Sequence, residues 1–110
     1  MHRLRFLGKG GSPSSGCPTL FAADPGYLVQ GWTTDDPGTV EIPHLLTGFA
    51  EHDTFIGATM IDTGRGTFQL SGTPVTDPET LAQLTLADDE TAILVPKLER
   101  TFYGHAATAR

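Results

Sequence analysis

The sequence is poor in cysteine, in basic residues and in long apolar runs, and each shortage excludes a class of protein. With Cys17 as its one cysteine, the chain excludes an internal disulfide and any metal site built from several cysteines. Its apolar runs fall short of the roughly 18 residues that a membrane-spanning helix needs. The basic start is followed by an apolar stretch that ends at Gly8, too early for a signal peptide. We therefore expect a cytoplasmic protein that does not associate with membranes.

Basic residues are also outnumbered, because 7 Lys and Arg stand against 13 Asp and Glu and give a formal net charge of −6. A conventional nucleic-acid-binding domain presents a basic face. The composition therefore argues against direct binding to DNA or RNA. An acidic balance instead favours solubility, or docking to a basic protein partner.

Glycine and proline, in contrast, are plentiful, with 13 and 8 copies in 110 residues. Many turns that join short elements are typical of β structure. The length is close to that of a common single domain. We predict one domain over residues 1–110, of the α+β class and mainly antiparallel β.

Two segments of the sequence resemble each other, and they predict an internal duplication. Gly26–Pro37 and Thr67–Pro78 share an aromatic residue, an aliphatic residue, a glycine and an Asp-Pro pair in the same order. The matched pairs are Tyr27 with Phe68, Gly31 with Gly72, and Pro37 with Pro78. Each segment is followed by a strand-like run ending in proline, Thr39–Pro43 and Ala92–Pro96, and then by an aromatic residue, Phe49 and Phe102. We place repeat 1 at about residues 4–50 and repeat 2 at about 54–103, with a pseudo-twofold relation between them.

Each repeat predicts a strand–strand–(helix)–strand unit. The first strands are expected at Pro18–Ala23 and Ile56–Asp62, each followed by a turn of Asp and Gly residues. The next strand alternates, so that Tyr27 and Phe68 lie on apolar faces. The glycine that follows on the same face indicates a bulge or a close approach of another backbone.

The helix is expected in the second copy alone. Asp77 can cap it, Pro78 suits its first turn, and Glu79 favours the positive helix end. Leu81, Leu84 and Leu86 would bury one face of it, and the last strand is expected at Thr91–Val95. The first copy replaces this helix with a direct turn.

Three motifs resemble a family of short actinobacterial proteins. They are Leu4–Lys9 (LRFLGK), Tyr27–Trp32 (YLVQGW), and Val75–Leu81 (VTDPETL) with its continuation Glu90–Lys97 (ETAILVPK). The resemblance implies a single strand–strand–helix–strand unit, and genes that often lie beside helix-turn-helix regulators in developmental or toxin–antitoxin-like arrangements. This chain departs from that pattern because it is doubled and its first copy lacks the helix.

Side chains that could bind a metal or catalyse a reaction lie closest together in the middle of the chain: His44, Glu51, His52, Asp53 and Asp62. A glycine lies between the two histidines, and their spacing does not match a metal-binding motif. We interpret these side chains as surface residues. We expect no catalytic residue, no metal and no cofactor.

Two other segments favour structural roles over chemistry. Cys17 lies in a Ser-Gly-Cys-Pro loop, where a buried thiol is commoner than a nucleophile. Leu7–Ser12 contains the glycines and lysine of a phosphate-binding loop, but not in the order G-x-x-x-x-G-K-[ST]. We predict a mobile loop over Gly8–Gly16 and a frayed tail over His105–Arg110.

Four residues are candidates for binding: Trp32, Leu28, Arg65 and His44. Trp32 is the strongest, because aromatic side chains anchor interfaces and its counterpart Thr73 is small and polar. Core packing is the alternative, with Trp32 and Leu28 in a second apolar layer. Arg65 is expected at a hairpin tip, and His44 at the rim of a cleft between the repeats.

These observations lead to three hypotheses about function. The first is a non-enzymatic interaction protein, a partner or modulator of a DNA-binding regulator. The second is a small-ligand-binding or enzymatic domain that uses the cleft between the repeats, with His44, His52 or Asp53 at its rim. The third is a structural protein that forms oligomers with copies of itself, because exposed strand edges invite pairing.

Overall fold

The computed structural model describes residues 2–10 and 17–100, which form a mainly antiparallel β structure with few helical residues. The strands are β1 (Arg5–Lys9), β2 (Thr19–Ala22), β3 (Tyr27–Thr33), β4 (Thr39–Pro43), β5 (Thr54–Ile56), β6 (Met60–Asp62), β7 (Thr67–Ser71), β8 (Thr73–Pro74), β9 (Glu90–Val95) and β10 (Lys97–Glu99). A 3₁₀ helix, η1, spans His44–Phe49, and an α-helix, α1, spans Pro78–Leu81. The predicted fold class is confirmed at this level. None of the described helices is long and apolar enough to cross a membrane.

Five strands close into a ring: β3, β4, β7, β8 and β9. β3 pairs with β9 from Tyr27 to Trp32, and the end of β3 pairs with β4 on its opposite edge. β4 pairs along its whole length with β7. Beyond Gly72 the chain continues as β8, which pairs with the remaining edge of β9 and closes the ring. β2, carrying β1, flanks β3, and β6 flanks β7.

The main hydrophobic core fills the inner face of this ring. Its buried members come from β2, β3, β4, η1, β5, β7 and β9: Leu20, Tyr27, Val29, Val40, Ile42, Leu46, Ile56, Leu70, Ile93 and Val95. The strand members occupy alternate positions, as the period of a pleated strand requires. The predicted alternation of β3 and β7 is therefore confirmed.

A second, smaller core lies on the outer face of β2, β3 and β9. Leu28, Ala23 and Ala92 are buried there, and Leu84, from the segment after α1, packs over them. Asp77 caps α1 as predicted, because its carboxylate accepts hydrogen bonds from the backbone N–H of Thr80 at 3.1 Å and from its hydroxyl at 2.6 Å. The outer face of β2, β3 and β9 is therefore apolar at the place where the segment after α1 covers it.

The structure also departs from the predicted element boundaries. The strand expected at Ile56–Asp62 is divided between β5 and β6, and β5 pairs with β10 rather than with β7. The helix has only four residues, and Leu86 is 37% exposed instead of buried. Gly8 and Lys9, expected in a loop, belong to β1. The rest of that loop after Gly10, the residue Phe102 and the tail His105–Arg110 lie outside the described residues.

Candidate interaction surface

One row of side chains crosses the outer face of β3, β4, β7 and β6, and we call it the outer row. Trp32 lies opposite Glu41, Glu41 opposite Gln69, and Gln69 opposite Ile61. Cross-strand partners share a face, so these four side chains are neighbours. Ile61 is 65% exposed at one end, and Trp32 is half-buried at the other.

Glu41 is the electrostatic centre of the outer row. Its carboxylate accepts hydrogen bonds from the Thr67 hydroxyl at 2.6 Å, from the Gln69 amide at 3.1 Å, and from the Arg65 guanidinium at 2.8 and 2.9 Å. These donors, the Thr67 hydroxyl first, hold the pKa of Glu41 below its ordinary value of 4.5. These hydrogen bonds hold Arg65 and Thr67 against β4.

Because its pKa is lowered by folding, Glu41 stabilises the protein above the ordinary carboxyl pKa, and this contribution is lost as the pH falls through the lower, folded pKa. We expect Glu41→Gln to lower stability at neutral pH and to reduce the loss of stability between about pH 7 and about pH 3. Urea unfolding at several pH values measures both effects. Glu99→Gln, at an exposed position on β10, is the control. An unchanged pH profile in Glu41→Gln would contradict the assignment.

The structure brings Arg65 and Trp32 to opposite sides of Glu41. Arg65 lies at the tip of the β6–β7 hairpin, as predicted, between Gly64 and Gly66, which adopt positive φ angles of 81° and 83°. Its side chain is 63% exposed, yet it folds back on Glu41.

His44 and Leu28 lie elsewhere in the fold. The His44 ring packs against Phe68 with 4.2 Å between ring centroids, and its Nε2 lies 3.1 Å from the Thr67 carbonyl and 3.3 Å from Asp62. Leu28 is fully buried beneath the segment that follows α1. Its contacts are therefore internal, in the second apolar layer that the sequence offered as the alternative.

A cleft of about 570 Å³ is lined by Arg3, Leu4, Arg5, Ala22, Asp24, Glu51 and Lys97. Glu51 binds both Arg5 and Lys97, the latter at 2.8 Å. Lys97 first, and then Arg5, lower the pKa of Glu51, while Glu51 raises the pKa of Lys97. The cleft is cationic, since three basic side chains face two acidic ones.

The other side chains considered for chemistry lie apart from this cleft. His52 is 95% exposed and pairs with its neighbour Asp53 at 3.3 Å. Cys17 is buried, at 3% exposure. Within residues 2–10 and 17–100, no group of three or more His, Cys, Asp or Glu side chains is arranged to hold a metal ion.

Sequence patterns did not identify Glu41, and they named Glu51 only among five side chains that we interpreted as surface residues. Glu41 carries a local signal, because it alternates with the apolar Val40 and Ile42. The residues that converge on it, however, come from β7 and the turn before it, 24 to 28 positions away, and only the register of β4 against β7 brings them together.

The chain matches no protein-family model, no curated protein and no solved structure. Its function is therefore inferred from its own surfaces. The outer row, the cationic cleft and the exposed apolar side chains are the features that could contact another molecule.

Proposed function

We propose that this chain is a non-enzymatic interaction protein that binds a protein partner. The observation that carries this proposal is a set of large apolar side chains at the surface, between 37% and 65% exposed: Phe6, Leu45, Phe49, Phe55, Ile61, Leu86 and Leu98. Two of them, Phe55 and Leu98, lie opposite each other on β5 and β10, and adjoining exposed apolar side chains are typical of surfaces that another protein covers. Trp32 in the outer row adds an aromatic anchor of the type that dominates binding energies.

We further propose that the partner is a DNA-binding regulator of the helix-turn-helix class, which this chain modulates. Two considerations support this class. The motifs at Leu4–Lys9 and Tyr27–Trp32 resemble proteins whose genes often lie beside such regulators. A net charge of −6 also complements a basic, DNA-binding protein and would accelerate their association.

The proposed internal duplication is supported by the register of the strands. β3 pairs with β9 with Tyr27 opposite Val95, and β7 pairs with β4 with Phe68 opposite Ile42. The sequence alignment matches Tyr27 with Phe68 and Val95 with Ile42, so each copy donates the same strand to the other copy in the same register. We propose that two copies of one unit thus exchange strands about a pseudo-twofold axis.

The two matched glycines support the same proposal. A Cβ atom at Gly31 would lie 2.8 Å from the Glu41 carbonyl oxygen and 2.8 Å from the Ile42 side chain. A Cβ atom at Gly72 would lie 2.4 Å from the Leu94 oxygen and 2.8 Å from the Val95 side chain. In the alignment these neighbours are also matched pairs. Of the two alternatives that the sequence left open, a bulge or a close approach, the close approach occurs at both glycines. At each glycine the strand lies against the last strand of its own copy.

An affinity pull-down of the tagged chain from a lysate of its source cells, analysed by mass spectrometry, tests the proposed function. We expect one helix-turn-helix protein to be captured by the wild type and lost with Trp32→Ala, because truncating an interface aromatic costs roughly 2 kcal/mol or more. Thr73→Ala, at the position that matches Trp32 in the other copy, is the control and should retain the partner. Circular dichroism establishes that both variants are folded. Failure of the wild type to capture any specific protein would contradict the proposal.

The cationic cleft supports a second candidate, a small anionic ligand held in this cleft. Arg3, Arg5 and Lys97 face the cleft together, and two of them already share the carboxylate of Glu51. The side chains that the sequence placed at such a rim, His44, His52 and Asp53, are not among those that line it. A thermal-shift screen of small anions with wild type and Lys97→Ala distinguishes this candidate, since a ligand of the cleft would stabilise only the wild type.

A further inference from the structure

We propose that β6 is the docking edge for the partner, and that an extended segment of the partner adds to it as an antiparallel strand. This inference rests on the proposed function as a protein-binding domain. It assigns the site of contact and the chemistry of the segment that is bound.

The backbone of β6 presents hydrogen-bonding groups that point away from β7. Thr63 donates its backbone N–H to the Thr67 carbonyl at 3.0 Å. Since hydrogen-bonded pairs alternate along an antiparallel ladder, Ile61 bonds towards Gln69, whereas the N–H and C=O groups of Met60 and Asp62 point to the opposite edge. Among the described residues, β6 pairs with β7 and with no other strand.

The chain itself shows how such an edge is covered. The β2–β3 hairpin has the same register as the β6–β7 hairpin, with Phe21 opposite Leu28 where Ile61 lies opposite Gln69. β1 adds to the outer edge of β2 as an antiparallel strand, through Ala22 and Leu20. These two residues correspond to Asp62 and Met60. The edge of β6 therefore has the geometry of an edge that binds a strand elsewhere in the same protein.

Grooves on both sides of β6 would receive the alternating side chains of an added strand. One groove, of about 430 Å³, is mostly apolar and includes Phe55, Met60 and Phe68. The other, of about 470 Å³, includes Ile61 and Gln69 of the outer row. Strand addition draws affinity from main-chain hydrogen bonds and specificity from pockets for alternate side chains, and β6 offers both.

The segment bound should resemble β1 in two positions. Phe6 lies opposite Phe21 and packs edge-on against its ring, at 6.2 Å between centroids, so an aromatic side chain is expected opposite the exposed Ile61. Arg5 lies opposite Ala22. The matching position in β6 is Asp62, whose side chain is 57% exposed, and a basic residue is therefore expected opposite it. The partner's motif is a basic residue followed by an aromatic one.

A fluorescein-labelled peptide with the sequence of residues 3–9, RLRFLGK, is the probe, and fluorescence anisotropy measures its binding to the full chain. We expect saturable binding that Ile61→Lys weakens at least tenfold, because a charge on an edge strand opposes strand pairing. Asp62→Asn should weaken it about twofold to fivefold, the range for an exposed ion pair. Leu45→Lys, at another exposed apolar position, on η1, is the control and should bind as the wild type does.

A second peptide carries N-methyl groups on two backbone nitrogens, that of the arginine expected opposite Asp62 and that of the residue expected opposite Met60. It measures how much the main-chain hydrogen bonds contribute to binding. Loss of two hydrogen bonds should weaken binding about tenfold. Equal binding of this peptide, or equal binding to Ile61→Lys, would overturn the proposal. Dimers seen in light scattering of the wild type but not of Ile61→Lys would also overturn it, in favour of a second copy at this edge. If the pull-down captures a partner that Ile61→Lys still binds, the proposed function stands and this inference alone fails.

Discussion

Replacing Gly72 by alanine is expected to destabilise the protein by about 2–3 kcal/mol, the usual cost of forcing an extra carbon into a close-packed site. A Cβ atom there would lie 2.4 Å from the carbonyl oxygen of Leu94 and 2.8 Å from a methyl carbon of Val95. The obstacle is backbone, which cannot rotate away as a flexible side chain can. The φ angle of Gly72 lies outside the left-handed region, so the cost comes from contact and not from torsion.

Gly48 provides the matched control, because a Cβ atom at that glycine would meet nothing within 4 Å. We expect Gly48→Ala to change the free energy of unfolding by less than about 0.5 kcal/mol. Urea unfolding followed by circular dichroism measures both variants. A Gly72→Ala protein as stable as the wild type would mean that β7 and β9 can move apart at little cost in free energy. The close contact at Gly72 would then not be required for stability.

Replacing Gln30 by alanine is expected to destabilise the protein by about 3 kcal/mol, from a buried cavity together with lost hydrogen bonds. Gln30 is 2% exposed. Its amide donates to the Thr85 carbonyl at 2.8 Å and to the Glu90 carboxylate at 3.1 Å, and it contacts the Cys17 carbonyl at 3.2 Å. One side chain thus ties β3 to the segment that covers the second core.

The same variant should open that segment preferentially, so amide hydrogen exchange at residues 82–89 should accelerate more than exchange in β4 or β7. Asp88→Ala is the control, since its side chain is exposed and most surface changes have small effects. Uniform acceleration over the whole chain would indicate global destabilisation only. In that case Gln30 would not be a specific tie between the strand and the segment.

Local patterns in the sequence correctly predicted those features of the fold that depend only on neighbouring residues. The alternation in β3 and β7 predicted their buried faces, because successive side chains of a strand point to opposite sides. Asp77 and Pro78 predicted the start of α1, because capping depends on neighbouring residues. The division of Ile56–Asp62 into β5 and β6 was not predictable, since it depends on the pairing of β5 with β10, some 40 positions later.

The sequence by itself determined the β-rich composition, the alternating faces and the turns around glycine, and it left a bulge or a close backbone approach as alternatives at two glycines. Only the tertiary structure decided which strand lies beside which: that β3 pairs with β9, that Glu41 gathers donors from β7 and the hairpin tip, that Leu28 is covered, and that β6 keeps an edge. The physical reason is that strand faces follow from a local period of two residues. Strand partners, in contrast, depend on contacts between residues far apart in the chain, which no local pattern contains.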